Sequence, residues 1–499
     1  MKIKYKIILW ACFMSAGATF AQNANDALRY SMQSFGTTAR SMSMGGAFGA
    51  LGADFSSLSS NPAGIAVYRR SELTVSPVLQ FNNANSSYLG TASTNSNANL
   101  GMGNIGFVLA FPREKKVSGW KGTSFGFGYN RINSFSSRFS FEGTNTGNSI
   151  NDYFAELSNG ISQSALAGED QYQFDAGLAF NSYLTNPIIN SSTVDQYQGT
   201  MYNGDLLQKG LITRSGSHGE IDIAFAANYN DKIYLGATLG IPYFRYTTNE
   251  VFEEYALQNT LKDSISGKTF KSSKYTQKVS TQGNGINLKL GIIFKPVDMV
   301  RVGLAIHTPT YYEMNDQYSS KVYANFQEGY LETSSPDGRF SYQLTTPFKA
   351  IASLGLVIKS QGIISVDYEY VNYSAARLNT KDDYNFSSEN SDISNQFTSA
   401  SNLKIGGEYR YQIFALRAGA VLQSSPYDGN LSYKEGNLSA ISYTGGIGIK
   451  GENFFVDFGY AFTKTSGNYT PYTLNNGEQP TAAITSKANR FMMTLGFKF

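Results

Sequence analysis

"INLKLGIIF", residues 286–294, is the stretch that decides the fold. Its even positions carry Ile286, Leu288, Leu290, Ile292 and Phe294, and its odd positions include Asn287, Lys289 and Gly291. A period of two is the signature of a β-strand with unlike faces. In "FFVDFGYAF" (454–462) one face is Phe454, Val456, Phe458, Tyr460 and Phe462, and the other holds Asp457 and Gly459. The chain ends the same way, with Phe491, Met493, Leu495, Phe497 and Phe499 in register. A soluble sandwich also alternates. It does not set five large apolar side chains against charges and glycines in strand after strand. Segments of about ten residues, apolar outside and polar or small inside, are what a transmembrane barrel requires.

Composition agrees. The 499 residues are 14% aromatic, with 34 Tyr and 34 Phe against 12 Pro. Charged residues make up 15%, against about 25% in soluble domains. The formal net charge of +3 gives no pointer to nucleic acid. Residues 1–21 read as a signal peptide, with Lys2, Lys4 and Lys6 before an apolar run from Ile7 to Met14, and cleavage is expected before Gln22. Trp10 and the short run before Cys12 argue against a lipid-modified Cys12. Without Cys12 the mature chain has no thiol, which excludes disulfides and thiolate chemistry. No later apolar run reaches the roughly 18 residues of a spanning helix.

Short polar breaks at Asn230-Asp231, Lys295–Asp298, Lys359–Gly362, Arg410–Gln412 and Lys450–Glu452, with a longer one at Pro112–Trp120, read as inner turns. Stretches rich in Asn, Ser, Thr and Gly read as outer loops: 83–100, 142–217 (the longest), 248–281, 315–340, 377–396, 424–438 and 464–486. The strands between them are 72–82, 103–112, 121–139, 219–229, 232–247, 282–295, 299–313, 341–358, 362–375, 399–410, 413–423, 440–450, 453–463 and 487–499. The expectation is therefore an all-β, 14-stranded antiparallel barrel over 72–499 with both ends on the periplasmic side. Segment 172–184 is expected inside the long loop, with a short helix at Asp152–Leu157. A barrel of this width is not filled by its own wall side chains. Residues 22–71, small and glycine-rich, are expected to sit inside as a plug. Asp54 would cap a turn through Leu58, and Asn61-Pro62 reads as a turn or as another cap followed by proline.

"ARSMSMGGAFGALGADFSSLSSNPAGIAV" (39–67) resembles the N-terminal hatch of the FadL family of outer-membrane transporters for long-chain fatty acids and aromatic hydrocarbons. The match rests on Arg40, Gly45, Gly46, Asp54, Asn61, Pro62, Ala63 and Gly64. "FKPVDMVRVGLAIHTP" (294–309), "VDYEYVNYS" (366–374), "LRAGAVLQSSP" (416–426) and "FFVDFGYAF" are similar to further family segments. The resemblance implies a fourteen-stranded barrel plugged by its N-terminus and passive uptake of hydrophobic molecules, with the plug as gate. It also implies lateral release beside a kinked third strand, a monomer in outer-membrane lipid, and no cofactor. The corresponding strand here contains "SFGFGYN" (124–130), whose Gly126 and Gly128 face the lumen and suit either a kink or room for the plug. The terminal strand with Phe499 resembles the signal read by the barrel-assembly machinery.

Lumen-facing charges are Asp222, Lys289, Arg301, Asp367, Glu369, Arg417 and Asp457. They would form a salt-bridge network that holds the plug, or pair with a ligand carboxylate. Arg301, Arg417 and His307 are the candidate ligand contacts; His307 could also serve as a haem ligand, and the favoured reading is a lumen histidine hydrogen-bonded to a neighbouring strand or the plug. Arg40 is expected to anchor the plug to Asp367 or Asp457, and His218 to lie solvated at a loop end. No GxSxG is present, and two distant histidines without a cysteine do not make a zinc site. The same scaffold also suits a surface protein that binds other proteins without transport. A general porin needs no plug, and 499 residues cannot supply a twenty-two-stranded receptor with a large plug domain.

Overall fold

A computed structural model describes residues 24–499 except 114–118, 169–171, 189–194, 201–204, 259–261, 264, 360, 382 and 430–435. The signal-peptide segment 1–21 and the middle of the Pro112–Trp120 turn lie outside the described residues. No helix among the described residues is long and apolar enough to cross a membrane.

The wall is a closed antiparallel barrel of 14 strands. They are β1 (Glu72–Tyr88), β2 (Thr91–Pro112), β3 (Trp120–Ser134, continued as Ser137–Asn145), β4 (Leu206–Tyr229), β5 (Ile233–Ala256), β6 (Phe270–Val297) and β7 (Val300–His307, continued as Tyr311–Phe326). Next come β8 (Gly338–Thr345, continued as Lys349–Ile358), β9 (Gly362–Asn372), β10 (Ser399–Tyr411), β11 (Phe414–Gln423), β12 (Ala440–Lys450), β13 (Phe454–Tyr469) and β14 (Ala482–Lys498). Each pairs with its sequence neighbour. β14 closes onto β1 from Glu72↔Lys498 to Ser87↔Ala483. The seal is completed by reciprocal backbone bonds between Ser71 and Phe499 of 3.1 and 3.0 Å. The outward residues of 286–294 are exposed, and so are Leu73, Phe81, Phe225, Leu304 and Phe497. An apolar outer face with a polar inner one is stable only against hydrocarbon.

The strands run well past the apolar band. Stretch 83–100 is not a loop. β1 and β2 continue through it to a two-residue turn at Leu89-Gly90, both with positive φ (46° and 84°), the geometry of a hairpin turn. Most of 248–281 and 315–340 is likewise strand. The long loop shrinks from 142–217 to 146–205, because β3 extends to Asn145 and β4 begins at Leu206. Outside the membrane an outward face no longer has to be apolar, so these strands lose the alternation that marks them. Within 146–205 the chain forms α3 (Ile150–Ser158), covering the expected helix, and a short helix (Ala176–Asn181) in the segment 172–184.

β7 and β8 break side by side at Pro309 and Pro347, each lacking a ladder donor. Thr310 and Thr346 bridge the breaks, with Thr310 N donating to Thr346 Oγ1 at 2.9 Å and Thr346 N to Thr310 O at 3.0 Å.

Three buried layers stack along the axis. The lowest packs the plug against the wall. Above it is a packed aromatic cluster around Tyr30, Phe244 and Tyr312, termed the chamber for its place inside the barrel. The outermost joins the strand tips to 146–205.

Candidate functional site

The plug is built from short capped turns. Helix α1 (Ala24–Ser31) is followed by α2 (Ala39–Ser43), whose N-cap Thr38 forms a reciprocal pair with Ser41. Asp54 caps the 3-10 turn Phe55–Leu58 by accepting from Ser56 N (3.0 Å), and it also accepts from Thr38 Oγ1 (2.8 Å). One carboxylate therefore joins two turns. Gly45 and Gly46 take φ of +65° and +75° to end α2, a conformation that disfavours any residue with a Cβ. Asn61 caps the 3-10 turn Pro62–Val67, with Pro62 at its first position. Its Nδ2 donates to Gly49 O at 2.6 Å and points at Ile292 O of β6 (3.3 Å) and Leu304 O of β7 (3.4 Å). Asn61 thus ties two parts of the plug to two wall strands.

The wall meets this backbone with glycines. A Cβ on Gly236 would stand 2.3 Å from Pro62 C, one on Gly291 would stand 1.9 Å from Asn61 Oδ1, and one on Gly303 would stand 2.2 Å from Gly49 O. Gly64 packs inside the plug, where a Cβ would meet Ser57 Oγ at 2.5 Å; Ala63 beside it is fully buried. Gly126 and Gly128 belong to the same set, lying under Leu58 and Phe55. The pairing of β3 runs unbroken through both on either side. The irregularity expected there lies further along, at Arg131/Asn133 and at Phe135-Ser136 between the two parts of β3. Phe135 N donates to O of Gly216 (φ +116°) at this point.

Charge fastens what the glycines admit. Arg40 does not reach Asp367 or Asp457. Its Nε donates to Glu408 Oε2 at 2.8 Å, while Nη1 donates to Ala53 O at 3.1 Å. Glu408 also accepts from Arg417 and from Arg410, each at 2.6 Å, and Arg417 donates on to Asp457 at 2.6 Å. Asp367 instead accepts from Gly49 N at 2.9 Å. Arg301 donates to Leu51 O, and His307 Nε2 lies 2.9 Å from Ser60 O. Lys289 bridges Glu220 and Asp222, and Lys349 and Lys404 both face Glu369. The three candidate ligand contacts are thus all engaged with plug or wall.

The chamber above is different in kind. Tyr30 of α1 stacks on Phe244 at 4.3 Å and 20°, with Phe135 and Tyr246 edge-on at 6.0 Å. His218, expected to be solvated, is buried here because β4 extends well beyond it, and its Nε2 lies 2.8 Å from Tyr312 Oη.

The wall beside the chamber is incompletely paired. β2 and β3 pair from Pro112↔Gly122 to Asn104↔Asn130 and no further. Beyond that, side chains cross the seam: Asn97 to Ser136 Oγ (2.8 Å) and Arg131 to Asn99 Oδ1 (3.0 Å), while Asn82 of β1 donates to Ser136 O (2.8 Å). The plug chain backs the seam from inside, with Ser34 N donating to Ile132 O (2.9 Å) and Asn104 to Thr37 O (2.9 Å).

Over the outer mouth, Glu254 accepts from Ser149 Oγ (2.5 Å), Ile150 N (3.0 Å) and Gln208 Nε2 (2.7 Å), holding the start of α3. Burial pushes its carboxyl up to about 7 despite those bonds.

Tyr30, Phe135, Glu220, Lys349, Lys404 and Glu408 escape the sequence reading. Glu220 shares the inward parity of Asp222, and Glu408 that of Gly406 and Lys404. That parity is the one signal that reaches them.

No family model matches the chain, and no curated protein does. Solved structures do. A Pseudomonas aeruginosa FadL homologue aligns with a TM-score of 0.56 at 11% identity, covering 94% of this chain and 100% of that one. The Pseudomonas putida toluene transporter TodX aligns at 0.52 and 12%, covering 94% and 99%. The Ralstonia pickettii toluene transporter TbuX aligns at 0.50 and 14%, covering 94% and 99%. At such identities the likeness establishes a shared fold.

Proposed function

We infer that this protein is an outer-membrane channel for passive uptake of hydrophobic compounds, of the long-chain fatty acid or aromatic hydrocarbon type, with the N-terminal plug as gate and the β2–β3 seam as a lateral exit. One observation carries the reading: Phe135 sits at the break in β3 and also lines the aromatic chamber. The apolar interior therefore adjoins the part of the wall that lacks backbone pairing. Downward passage runs into the buried ion network around Glu408 and Glu220. An apolar solute gains nothing there, whereas sideways it returns to hydrocarbon, and each CH₂ kept from water is worth about 0.8 kcal/mol. The plug segment 32–37 backs the seam, so its withdrawal would uncover chamber and exit together. The names of the structural neighbours, toluene transporters among them, support the substrate class. Uptake by a channel, with no covalent chemistry, makes no use of a catalytic group.

The test is a reversible staple across the seam. Asn97→Cys with Ser136→Cys places two thiols where side chains already touch. Cells carrying the oxidised pair should fail to take up labelled oleate and toluene, and reductant should restore uptake. A fully formed cross-link that leaves uptake unchanged sinks the lateral route. Absence of uptake of either probe by the wild type, together with a co-purifying protein, turns the reading to a surface protein-binding role.

A further inference from the structure

The outward face of β1, β14, β13 and β12 carries a feature that transport does not use. Lys464 and Lys487 stand directly opposite each other on β13 and β14. Both are exposed, on the parity of Tyr460 and Phe491. Like charges directly opposed on a sheet repel. Three other exposed lysines in the outer part of the molecule meet carboxylates instead: Lys209 faces Glu142 at 3.3 Å, Lys274 faces Glu253 at 3.3 Å, and Lys381 faces Glu313 at 3.2 Å. Among the described residues, neither Lys464 nor Lys487 has such an ion pair.

Below the two lysines, past Asn489, which accepts from Tyr460 Oη at 2.8 Å, the surface turns apolar. Phe491 packs on Tyr460 at 5.1 Å and on Phe81 at 6.2 Å. Under these rings a groove of about 570 Å³ runs along Leu79, Leu100, Ile447, Phe458 and Met493. Its floor includes Gly445, whose outward position has no side chain. Lys487 is four residues beyond Phe491, roughly 13 Å along the strand. Two ammonium groups therefore stand just above the hydrocarbon level, over a groove within it.

We propose that this face binds a phosphate-bearing, multiply acylated lipid of the outer leaflet, of the lipid A type. Phosphate bridges Lys464 and Lys487 and relieves their repulsion, and an acyl chain lies in the groove over Gly445. Lysine is suited to this as a compact point charge for phosphate. The pairing of cation and groove is what separates a defined site from the general attraction of an anionic surface.

The test uses the full-length protein in zwitterionic detergent, with native mass spectrometry and hexa-acylated diphosphoryl lipid A as the probe. Wild type should retain the lipid, and inorganic phosphate alone should not displace it. Lys464→Gln with Lys487→Gln should weaken retention about thirty-fold, from two lysines near an anionic head. Gly445→Leu should also weaken it by filling the floor; a Cβ there meets nothing closer than Arg417 O at 3.7 Å, so the wall accommodates it. Lys278→Gln, an exposed lysine opposite Asn249 and Ser319, should change nothing. Heat-modifiable migration on gels verifies that each variant is folded. Retention by the double lysine variant equal to wild type, or equal binding of dephosphorylated lipid A, overturns the proposal.

Discussion

Replacing Glu408 with glutamine should unlatch the plug. The Glu408 side chain has no solvent exposure and receives three guanidinium groups: Arg40 from the plug, and Arg410 and Arg417 from the wall. Glutamine keeps the volume but removes the charge. Arg417 retains Asp457, and Arg410 is one-third exposed and reaches solvent. Arg40 keeps Ala53 O but loses its carboxylate while still 13% exposed. Breaking one side of a buried ion pair costs about 3–5 kcal/mol. That cost falls on the closed arrangement, because a withdrawn plug carries Arg40 to water. Taking 3 kcal/mol, the displaced population should rise about 150-fold. Single-channel recording in planar bilayers reads this directly as more frequent, longer openings of an otherwise quiet channel. Arg40→Gln should act in the same direction. The double variant should add little to either single change, since both remove one contact. Conductance traces for both single variants indistinguishable from wild type would refute the latch, as would strict additivity.

The glycine belt offers a steric version. Gly236→Ala places a Cβ 2.3 Å from Pro62 C, so overpacking of about 1–3 kcal/mol is expected, read as a lower temperature of heat-modified migration and more openings. Asn61→Ala removes the cap of Pro62–Val67 and the bond to Gly49 O, and a loss of about 1–2 kcal/mol with raised conductance is expected. The outer cap should respond to pH. Because burial raises Glu254 from 4.5 to about 7, docking of α3 is favoured below pH 4.5 and weakens as pH rises towards 7 and beyond, by up to about 3 kcal/mol. Hydrogen exchange across 150–158 should be slower at pH 5 than at pH 8 after correction for intrinsic rates, and Glu254→Gln should abolish that difference.

Where the membrane imposes a rule, the sequence is legible. Each of the fourteen strands has a stretch whose outward side chains must be apolar, and the alternation in 286–294 or 491–499 follows from that demand. The rule stops at the headgroups. "TASTNSNANL" (91–100) is strand throughout, yet its outward Asn, Ser and Thr carry no period that separates it from loop. The caps of Asp54 and Asn61 are legible for a related reason, because an orphaned backbone N–H at the start of a turn asks for one of few side chains.

The partners of those local features are not legible, because they are set by the height at which distant strands meet the plug. Arg40 sits on α2, which lies against β11 to β14, and it reaches Glu408 on the adjoining β10, opposite Arg417 of β11, while Asp367, on β9, faces Gly49. The same geometry explains why nothing in residues 24–37 looks functional in one dimension. Tyr30 is one aromatic residue among many until α1 sets it on Phe244, and Ser34 and Thr37 are two more hydroxyl residues until they lie behind Ile132 and Asn104. One strand of plug backbone then touches the chamber at one end and the seam a few residues later. Any displacement that frees Tyr30 by more than the slack of Ser31–Gln33 must also pull on the cover of the seam. Coupling between the aromatic cluster and the proposed exit would therefore need no intermediary beyond the length of the chain.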